Sequence, residues 1–230
     1  MVVHLAAFTH VDNCEAQPDL ARRVNHLGTR NVADAAIDHG ARVIYVSTDY
    51  IFDGSKYDEY DEEDEPSPIN VYGRTKLAGE SEIARVRAHW IVRTSWIFGQ
   101  GDNFISTVLK RAREDARLRV VEDQVGRPTP AIAVAEGIAA LVEREGRGIL
   151  HVAGDGEPCS WADLATFALG SAGLNVPVER ITTEMYRRES KTVVAHRPPY
   201  SVLSLEKARG LHIPLLDWRE AVEREIGALA

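Results

Sequence analysis

The sequence predicts an α/β fold built on a parallel sheet, and three observations lead to this prediction. Apolar runs rich in β-branched residues lie at Val2–Phe8 and Arg42–Val46, and such runs are typical of buried strands. Between them, after a polar turn at Asp12–Asp19, Leu20–His39 has the apolar spacing of a helix and is followed by Gly40, a residue that commonly ends helices. A strand, a helix and a strand in this order form a βαβ unit, which favours a parallel sheet covered on both faces.

The alternation of strands and helices continues through the rest of the chain. A change of character after Gly126–Pro130 indicates that a second, smaller lobe begins there, with segments that project across the boundary. One helix is predicted to start at a Ser160 cap, with Asp163 at its third position. The other predicted helices cover about 71–87, 103–116, 132–145 and the region from Asp217, and the other predicted strands cover about 90–94, 118–121, 149–152 and 180–183.

Composition and charge exclude several classes of protein. With 230 residues, 44% of them hydrophobic, the chain can bury a full core. Its formal net charge of −8 argues against a surface for nucleic acids or anionic membranes. The acidic residues concentrate in Asp58–Glu65, which is expected to form a solvated loop. No apolar run reaches the roughly 18 residues of a membrane span, and no signal peptide is recognisable. We therefore expect a cytoplasmic protein that binds neither nucleic acid nor membrane.

Metal binding is not expected either. The two cysteines, Cys14 and Cys159, are far apart and form no CxxC pattern, which suits a reducing compartment and gives no support to a structural zinc. His4, His10 and His26 lack the spacing of known metal motifs.

Two side chains suited to proton transfer lie at the start of the helix predicted from residue 71. Tyr72 and Lys76 form a YxxxK pattern, and a spacing of four puts both on one face of the helix. A free tyrosine has a pKa of about 10, and a neighbouring ammonium group would stabilise the phenolate and permit proton exchange near neutral pH. Alone the pattern is weak, because this spacing arises by chance in many helices.

The context of this pair strengthens its interpretation. The strand predicted at Arg42–Val46 leads into Ser47, Thr48 and Asp49, and doubly wound sheets place their chemistry at the carboxyl ends of their strands. A hydroxyl group there can hold a carbonyl oxygen while Tyr72 protonates it. Ser47 and Thr48 could instead merely cap a turn, but that alternative leaves the combined pattern unexplained.

Four segments occur in an order and spacing typical of one family, namely Ser47–Gly54, Pro68–Glu80, Arg93–Trp96 and Asp123–Thr129. They resemble the dTDP-4-dehydrorhamnose reductases, which are extended short-chain dehydrogenases, and the similarity covers nearly the whole chain. The resemblance implies a Rossmann-like doubly wound parallel sheet, N-terminally incomplete, in a partial NAD(P)-binding domain at 1–125. A smaller α/β lobe at 126–230 would mainly bind substrate. The implied reaction is reduction of the C4 ketone of dTDP-4-dehydro-L-rhamnose to dTDP-L-rhamnose with NADPH, NADH being the alternative cofactor.

The resemblance also implies a role for individual side chains. Tyr72 would donate the proton to the C4 oxygen, Lys76 would bind the nicotinamide ribose and lower the pKa of Tyr72, and Thr48 would hydrogen-bond the substrate oxygen. The residues implied in cofactor binding, besides Tyr72 and Lys76, are Ala6, Ala7, Phe8, Asn25 and Ser47. Those implied in binding the dTDP-4-keto-6-deoxy sugar are Asp49, Tyr50 and Trp96, with Asn103 and Arg127 as weaker candidates. A homodimer is one possible assembly.

Three alternative functions are open to a sequence of this kind. Sugar-nucleotide 4,6-dehydratases carry a second carboxylate at this strand end, where Tyr50 follows Asp49, so dehydration is disfavoured. Nucleotide-sugar epimerases use the same tyrosine and lysine, but their strand end typically reads Ser-Ser or Ser-Ala. A non-catalytic regulatory subunit like methionine adenosyltransferase β resembles the same family, and the intact set of Thr48, Tyr72 and Lys76 favours a catalyst over it.

The 230 residues contain no GxGxxG or GxxGxxG motif, although a dinucleotide fold opens on such a glycine-rich turn to hold the pyrophosphate. The resemblance implies that a βαβαβ half of roughly 50–60 residues would precede Met1. The chain is therefore expected to be either a fragment or a natural short form, and the intact catalytic residues favour the fragment. Alone it is expected to bind NADPH weakly and to show little reductase activity.

Overall fold

The structure, a computed structural model, describes residues 1–114 and 117–229, in which strands and helices alternate. None of the helices described is long and apolar enough to cross a membrane. A π-helical segment, Arg22–Gly28, and a 3-10 turn, Asp49–Ile51, accompany the regular elements. The strands are β1 (Val2–His4), β2 (Val43–Val46), β3 (His89–Arg93), β4 (Ile97–Phe98), β5 (Leu118–Val121), β6 (Val125–Gly126), β7 (Thr129–Pro130), β8 (Gly148–His151), β9 (Cys159–Ser160) and β10 (Val178–Ile181). The helices are α1 (Val11–Ala16), α2 (Pro18–Ala21), α3 (Thr29–Asp38), α4 (Val71–Ile83), α5 (Phe104–Arg113), α6 (Ala131–Val142), α7 (Trp161–Ser171), α8 (Thr183–Glu189), α9 (Glu206–Gly210) and α10 (Trp218–Leu229).

A parallel sheet of four strands, in the order β1-β2-β3-β8, lies at the centre of the fold. One row of its register pairs Val3 with Ile44, Ile44 with Trp90, and Trp90 with Gly148. The predicted parallel sheet is thereby confirmed. Because all four strands run in the same direction, their carboxyl ends lie along one edge, and the segments that follow them can contribute to one site.

Helices cover both faces of this sheet, as the alternation of buried side chains in β2 requires. Val43 and Tyr45 pack on one face with Ala33 of α3 and Ile83 of α4. On the other face, a second apolar cluster contains Ile44, Val92, Leu141, Leu150, Val152, Ala208 and Ile213, which brings in α6 and α9. Strands β2, β3 and β8 therefore have apolar side chains packed on both faces, as in a doubly wound sheet, whereas Val2 and Val3 of β1 are exposed.

A second body packs around β5 and β10, which pair in parallel. Its core joins α5, α7 and α10 through residues that include Leu109, Leu164 and Trp218. Meanwhile α6 and β8, from the later half of the chain, belong to the central sheet. The two bodies are therefore built from interleaved segments, and the division at 125/126 stays a prediction.

The segment between β1 and α3 differs from the sequence expectation of a polar turn. Helix α1 forms within the supposed turn, since Cys14 is fully buried on its inner face. Pro18 at the first position of α2 then restarts the helix. The π-helical segment that follows widens the helix, and such segments often lie at functional sites. The predicted cap at Gly40 is confirmed by its φ of +61°.

The acidic run Asp58–Glu65 is not simply solvated, contrary to expectation. Within it, Tyr60 is buried and its ring stacks on Phe52, with 4.2 Å between centroids and 14° between planes. The Glu62 carboxylate accepts a hydrogen bond of 2.8 Å from the His151 backbone amide. The run is anchored because its one aromatic ring finds a place in the core, which a count of charges cannot reveal.

Replacement of Tyr60 by alanine should therefore lower the free energy of unfolding by about 3 kcal/mol, the usual cost of deleting a buried aromatic ring. Urea denaturation at neutral pH measures the change. Tyr57, in the same loop and fully exposed, provides the matched control, and Tyr57→Ala should alter stability by less than about 0.5 kcal/mol. Equal effects of the two substitutions would show that the run is not anchored.

Candidate active site

A cavity of about 600 Å³ lies at the carboxyl edge of the sheet. The chain segments that follow β1, β2 and β3 form three of its walls, and α4, α6 and α7 complete it. Its position is the one that doubly wound sheets use for ligands. Residues that the sequence predicted to act together and that line this cavity are Ala7, Ser47, Thr48, Asp49, Tyr50, Tyr72, Lys76 and Trp96.

The first turns of α4 are held against the chain that follows β2. The Asn70 side chain caps the helix by accepting a 2.7 Å hydrogen bond from the Gly73 amide. A Cβ atom at Gly73 would lie 2.0 Å from the Tyr50 carbonyl oxygen, so only glycine permits this approach. As a result the Tyr72 and Tyr50 rings meet edge to face, 6.1 Å apart.

Thr48 is placed at the end of β2, as predicted. Its hydroxyl group donates to the Asp49 carboxylate at 3.0 Å and accepts from the Tyr50 backbone amide at 3.2 Å. The residue is buried and lines the cavity. These bonds fix the orientation of the hydroxyl group relative to Tyr72, the proposed proton donor.

The Tyr72 hydroxyl group holds its proton firmly. Burial raises its pKa above the usual value for tyrosine, and the negative charge of Asp49 raises it further, while a hydrogen bond with Thr48 acts in the opposite direction. The expectation that Lys76 lowers the pKa of Tyr72 stays a prediction. Tyr72 is suited to give up a proton only when a strong base forms beside it.

The Lys76 ammonium group is enclosed by β2. Its Nζ atom donates a 2.7 Å hydrogen bond to the Val46 carbonyl oxygen and lies 4.0 Å from the centroid of the Tyr45 ring. Burial lowers its pKa to about 7, and the charge of Glu80 opposes this change. Lysines whose pKa lies near neutrality in a cavity are typical of functional sites.

Asp49 carries a second displaced pKa in the same cavity. Its carboxylate accepts hydrogen bonds from Ser201 Oγ at 2.5 Å and from Thr48 Oγ1. Burial raises its pKa to about 7, although both hydrogen bonds favour the charged form. Asp49 and Lys76 therefore titrate in the same pH range.

Trp96 lies at the mouth of the cavity in a strained conformation. Its φ of +44° is rare for a residue with a side chain. The indole stacks on that of Trp161, with centroids 3.6 Å apart, and Gly126 leaves space for it, since a Cβ atom there would lie 2.6 Å from the ring. Trp96 is half-buried: it lines the cavity and also packs against the core of the second body.

Some of the residues implied in cofactor binding line the cavity, and others hold together the segments that form it. Ala7 lines the cavity, whereas Ala6 is exposed. Asn25 is fully buried, and its amide bonds to the Phe8 amide at 2.7 Å, to the Phe8 carbonyl oxygen at 3.1 Å and to Thr75 Oγ1 at 3.1 Å. Asn25 therefore joins the segment after β1 to α4. Ser47, although on the wall, donates its hydroxyl hydrogen to Glu80.

Two residues predicted as weaker substrate contacts are engaged elsewhere. Asn103 is the N-cap of α5, where it forms a capping box with Ser106. Arg127 is buried, donates to the Leu203 carbonyl oxygen at 3.1 Å and pairs with Glu59 of the acidic run. These contacts favour a structural role for both residues.

Several residues of the site were not singled out from the sequence. Ser201 bonds to Asp49 across 152 positions of sequence, Trp161 forms a wall from α7, and the charge of Glu80 acts on Lys76. Of these three residues, only Glu80 could have been identified from the sequence, because it follows Lys76 by one helical turn.

A second cavity, of about 610 Å³, is rich in arginine. Arg187, Arg188 and Arg197 line it, together with Asp123 and Glu184. Arg197 bonds to the Asp12 carboxylate at 2.9 Å, and its positive charge acts on Tyr50 of the first cavity. The arginine cavity is thus linked to the sheet edge through Arg197.

In comparisons with known proteins, the sequence and structure of this chain are similar to those of one family. The family model for the RmlD substrate binding domain matches residues 1–230. The spore coat polysaccharide biosynthesis protein SpsK of Bacillus subtilis is 39% identical over 225 residues, which cover 96% of this chain and 77% of that protein. The dTDP-4-dehydrorhamnose reductase of Sinorhizobium fredii is 38% identical over 245 residues, covering 100% of this chain and 80% of that protein. The structure of dTDP-4-dehydrorhamnose reductase from Bacillus anthracis, in complex with NADP, has a TM-score of 0.89 and 36% identity, covering 97% of this chain and 78% of that chain.

The raised pKa of Asp49 predicts a particular pH dependence of stability. Between its ordinary value of 3.8 and about 7 the folded state binds a proton that the unfolded state has released. The contribution of Asp49 to the free energy of unfolding should therefore fall as the pH rises through this range, by an amount on the order of a few kcal/mol. The lowered pKa values of the buried His151, below about pH 6.5, and of Lys76, above about pH 7, act in the opposite direction. Asp49→Asn should remove this contribution of Asp49, so the slope of the free energy of unfolding against pH, from urea titrations at pH 5, 6, 7 and 8, should become more positive than in the parent chain. The exposed Asp38→Asn serves as control and should leave the slope unchanged; an unchanged slope in Asp49→Asn would contradict the assignment.

Proposed function

This chain belongs to the RmlD substrate binding domain family, and from that membership and its site we propose that it reduces the C4 ketone of dTDP-4-dehydro-L-rhamnose to dTDP-L-rhamnose with NADPH. The single observation that carries this proposal is the convergence of Thr48, Tyr72 and Lys76 on one cavity at the sheet edge. Ketone reduction needs a hydride donor, a proton donor and a group that orients the carbonyl oxygen. The cavity supplies the last two.

The residues present fit the nicotinamide end of the cofactor. Ala7 gives a small apolar wall, Lys76 presents an ammonium group, and the buried Thr94 Oγ1 on the wall has no hydrogen-bond partner among the described residues. These three groups would hold the nicotinamide and its ribose, and NADPH supplies a hydride when bound. A glycine-rich pyrophosphate turn does not occur in the sequence, so weak NADPH binding by this chain stays a prediction.

Proton transfer falls to Tyr72. At neutral pH its raised pKa keeps the hydroxyl group protonated, so it can hydrogen-bond the ketone oxygen and transfer its proton as that oxygen becomes an alkoxide. Thr48 fixes the oxygen from the β2 side. The cationic form of Lys76, on the same face of α4, then stabilises the Tyr72 phenolate that remains.

The substrate would occupy both cavities. The sugar lies between Asp49, Tyr50 and the Trp96 indole, where polar groups meet an aromatic face. The diphosphate faces Arg197 at the entrance to the arginine cavity, because guanidinium groups recognise phosphates through paired, charge-assisted hydrogen bonds. The dTDP-4-keto-6-deoxy sugar thus spans the sheet edge and the smaller body.

The alternatives are not favoured by the relatives. A nucleotide-sugar epimerase or a regulatory subunit like methionine adenosyltransferase β would use the same fold, but the curated relatives at 35–38% identity are reductases. A cytoplasmic location and a homodimeric assembly belong to the same proposal. The free thiols of Cys14 and Cys159 support the location; native mass spectrometry tests the assembly.

Product formation tests the function directly. The chain is incubated with dTDP-4-dehydro-L-rhamnose and NADPH up to millimolar concentrations, because weak cofactor binding raises the concentration that turnover needs. We expect dTDP-L-rhamnose to appear in step with NADPH oxidation. Calorimetry with dTDP-L-rhamnose separates substrate binding from cofactor binding. The proposal would be contradicted if the chain did not bind that nucleotide sugar and formed no product at any NADPH concentration.

Tyr72→Phe should reduce kcat by about 10² to 10⁴, since it removes the proton donor together with its hydrogen bond to Thr48 and leaves the ring in place. The KM for the nucleotide sugar should change little, because the ring and its contact with Tyr50 remain. Tyr57→Phe, at an exposed position, should leave both constants unchanged. A Tyr72→Phe chain with undiminished kcat would show that another group donates the proton.

Arg197→Gln should raise the KM for the nucleotide sugar about 10- to 100-fold, the effect of losing a charge-assisted hydrogen bond to phosphate. The effect on kcat should be smaller, because the proposed position of Arg197 is at the diphosphate and not at the reacting carbonyl group. Steady-state kinetics with Arg224→Gln, on the exposed face of α10, is the control. An unchanged KM would place the diphosphate elsewhere.

A further inference from the structure

A buried cluster of three polar side chains, Ser47, Glu80 and Arg93, adjoins the active-site cavity, and Ser47 lines that cavity. The Glu80 carboxylate accepts hydrogen bonds from Ser47 Oγ at 2.5 Å, from Arg93 Nε at 3.2 Å and from Arg93 Nη2 at 2.8 Å. Glu80 and Arg93 are 4% and 2% exposed. Each member of the cluster comes from a different element, namely α4, the end of β2 and the end of β3.

The cluster joins the parts of the fold that carry the chemistry. Ser47 immediately precedes Thr48, and Glu80 lies one turn after Lys76 on α4. The bond between Ser47 and Glu80 therefore fixes the distance between the two elements that present the oxygen-binding hydroxyl group and the ammonium group. Through its bond to Glu80, Arg93 connects these two elements to the neighbouring strand β3. Its Cζ atom lies 5.4 Å from the centroid of the Phe52 ring.

Lys76 is surrounded by few charges. His4 faces it from β1, Tyr45 from β2, and Tyr72 and Glu80 from α4, while Arg93 of β3 is bound to Glu80. Tyrosines are neutral at ordinary pH, and the charge of Lys76 itself, after burial, lowers the pKa of His4 and keeps that ring neutral. Among the described residues, Glu80 is the one charged group with a resolved effect on Lys76.

From this arrangement we propose that Glu80 is a positioning residue for the reduction. Its carboxylate holds the β2 end through Ser47 and supplies the negative charge that keeps Lys76 an ammonium ion inside a buried site. Glu80 acts through its neighbours, since it lies below the wall and not on it. This inference rests on the proposed function for its catalytic consequence, but the effect on Lys76 is independent of turnover.

A purely structural role for the ion pair is the competing explanation. Buried ion pairs are often no more stabilising than apolar residues of the same size, so stability alone does not account for the cluster. The two explanations differ in one observable. A structural pair leaves the titration of Lys76 unchanged when it is removed, whereas a positioning carboxylate does not.

The titration of Lys76 is measured by its ¹³Cε chemical shift, with the signal assigned from Lys76→Arg. In the parent chain the midpoint should lie near pH 7. In Glu80→Gln it should fall by about one pH unit or more, because the remaining influence, burial, disfavours the cation. Glu82→Gln, two positions along the same helix and bound to His26 and Arg85, is the matched control and should leave the midpoint unchanged.

Glu80→Gln leaves Arg93 buried without its carboxylate and can fail to fold for that reason. The double variant Glu80→Gln with Arg93→Gln removes both charges and should still lower the Lys76 midpoint. Glu80→Asp retains the charge and should restore most of the parent value. An unchanged midpoint in the folded Gln variants would overturn the proposal.

Turnover provides a second and separable outcome. If the proposed reduction is correct, the alkaline limb of the kcat profile should move to lower pH in Glu80→Gln, in step with the Lys76 midpoint. If the chain proves inactive on the keto sugar, the proposed function fails while the chemical-shift titration still decides the role of Glu80. A moved midpoint with an unmoved kcat limb would overturn the catalytic part of the inference.

Discussion

The chemistry of this chain depends on how closely α4 approaches the segment that follows β2. Gly73 has no Cβ atom to hold the helix away from Tyr50, and Asn70 caps the helix at the same place. This contact brings Tyr72 beside Thr48 and sets Lys76 under the sheet edge. Without it the YxxxK pattern would be two residues on a helix and would form no site.

Burial then determines what each group can do. The cavity that raises the pKa of Tyr72 also lowers that of Lys76 and raises that of Asp49, because desolvation disfavours every charge in it. A tyrosine that keeps its proton and a lysine near its midpoint are suited to one proton transfer in each turnover. The carboxylate of Glu80, outside the wall, limits how far desolvation shifts Lys76 toward its neutral form.

The sequence was sufficient for the parts of the fold that local pattern decides. The parallel sheet, the Gly40 and Ser160 caps and the placement of Thr48, Tyr72 and Lys76 at one edge follow from periodicity and motif. Contacts between segments that are distant in the chain could not be predicted from such local patterns. They include the Ser201 bond to Asp49, the Arg197 link to the second cavity, and the hydrogen bond from Arg127 to the Leu203 carbonyl oxygen. The anchoring of the acidic run could not be predicted for the same reason, since only the folded chain shows where the Tyr60 ring packs.

The proposed reduction transfers a hydride from NADPH and a proton from Tyr72 to the C4 carbonyl group of a dTDP-4-keto sugar. It is tested most directly by incubating the chain with NADPH deuterated at the transferable C4 position of the nicotinamide and with dTDP-4-dehydro-L-rhamnose, followed by NMR of the sugar product. If the proposed reduction is correct, deuterium appears at C4 of the sugar and at no other ring carbon. A product without deuterium, or with deuterium at another carbon, would contradict it.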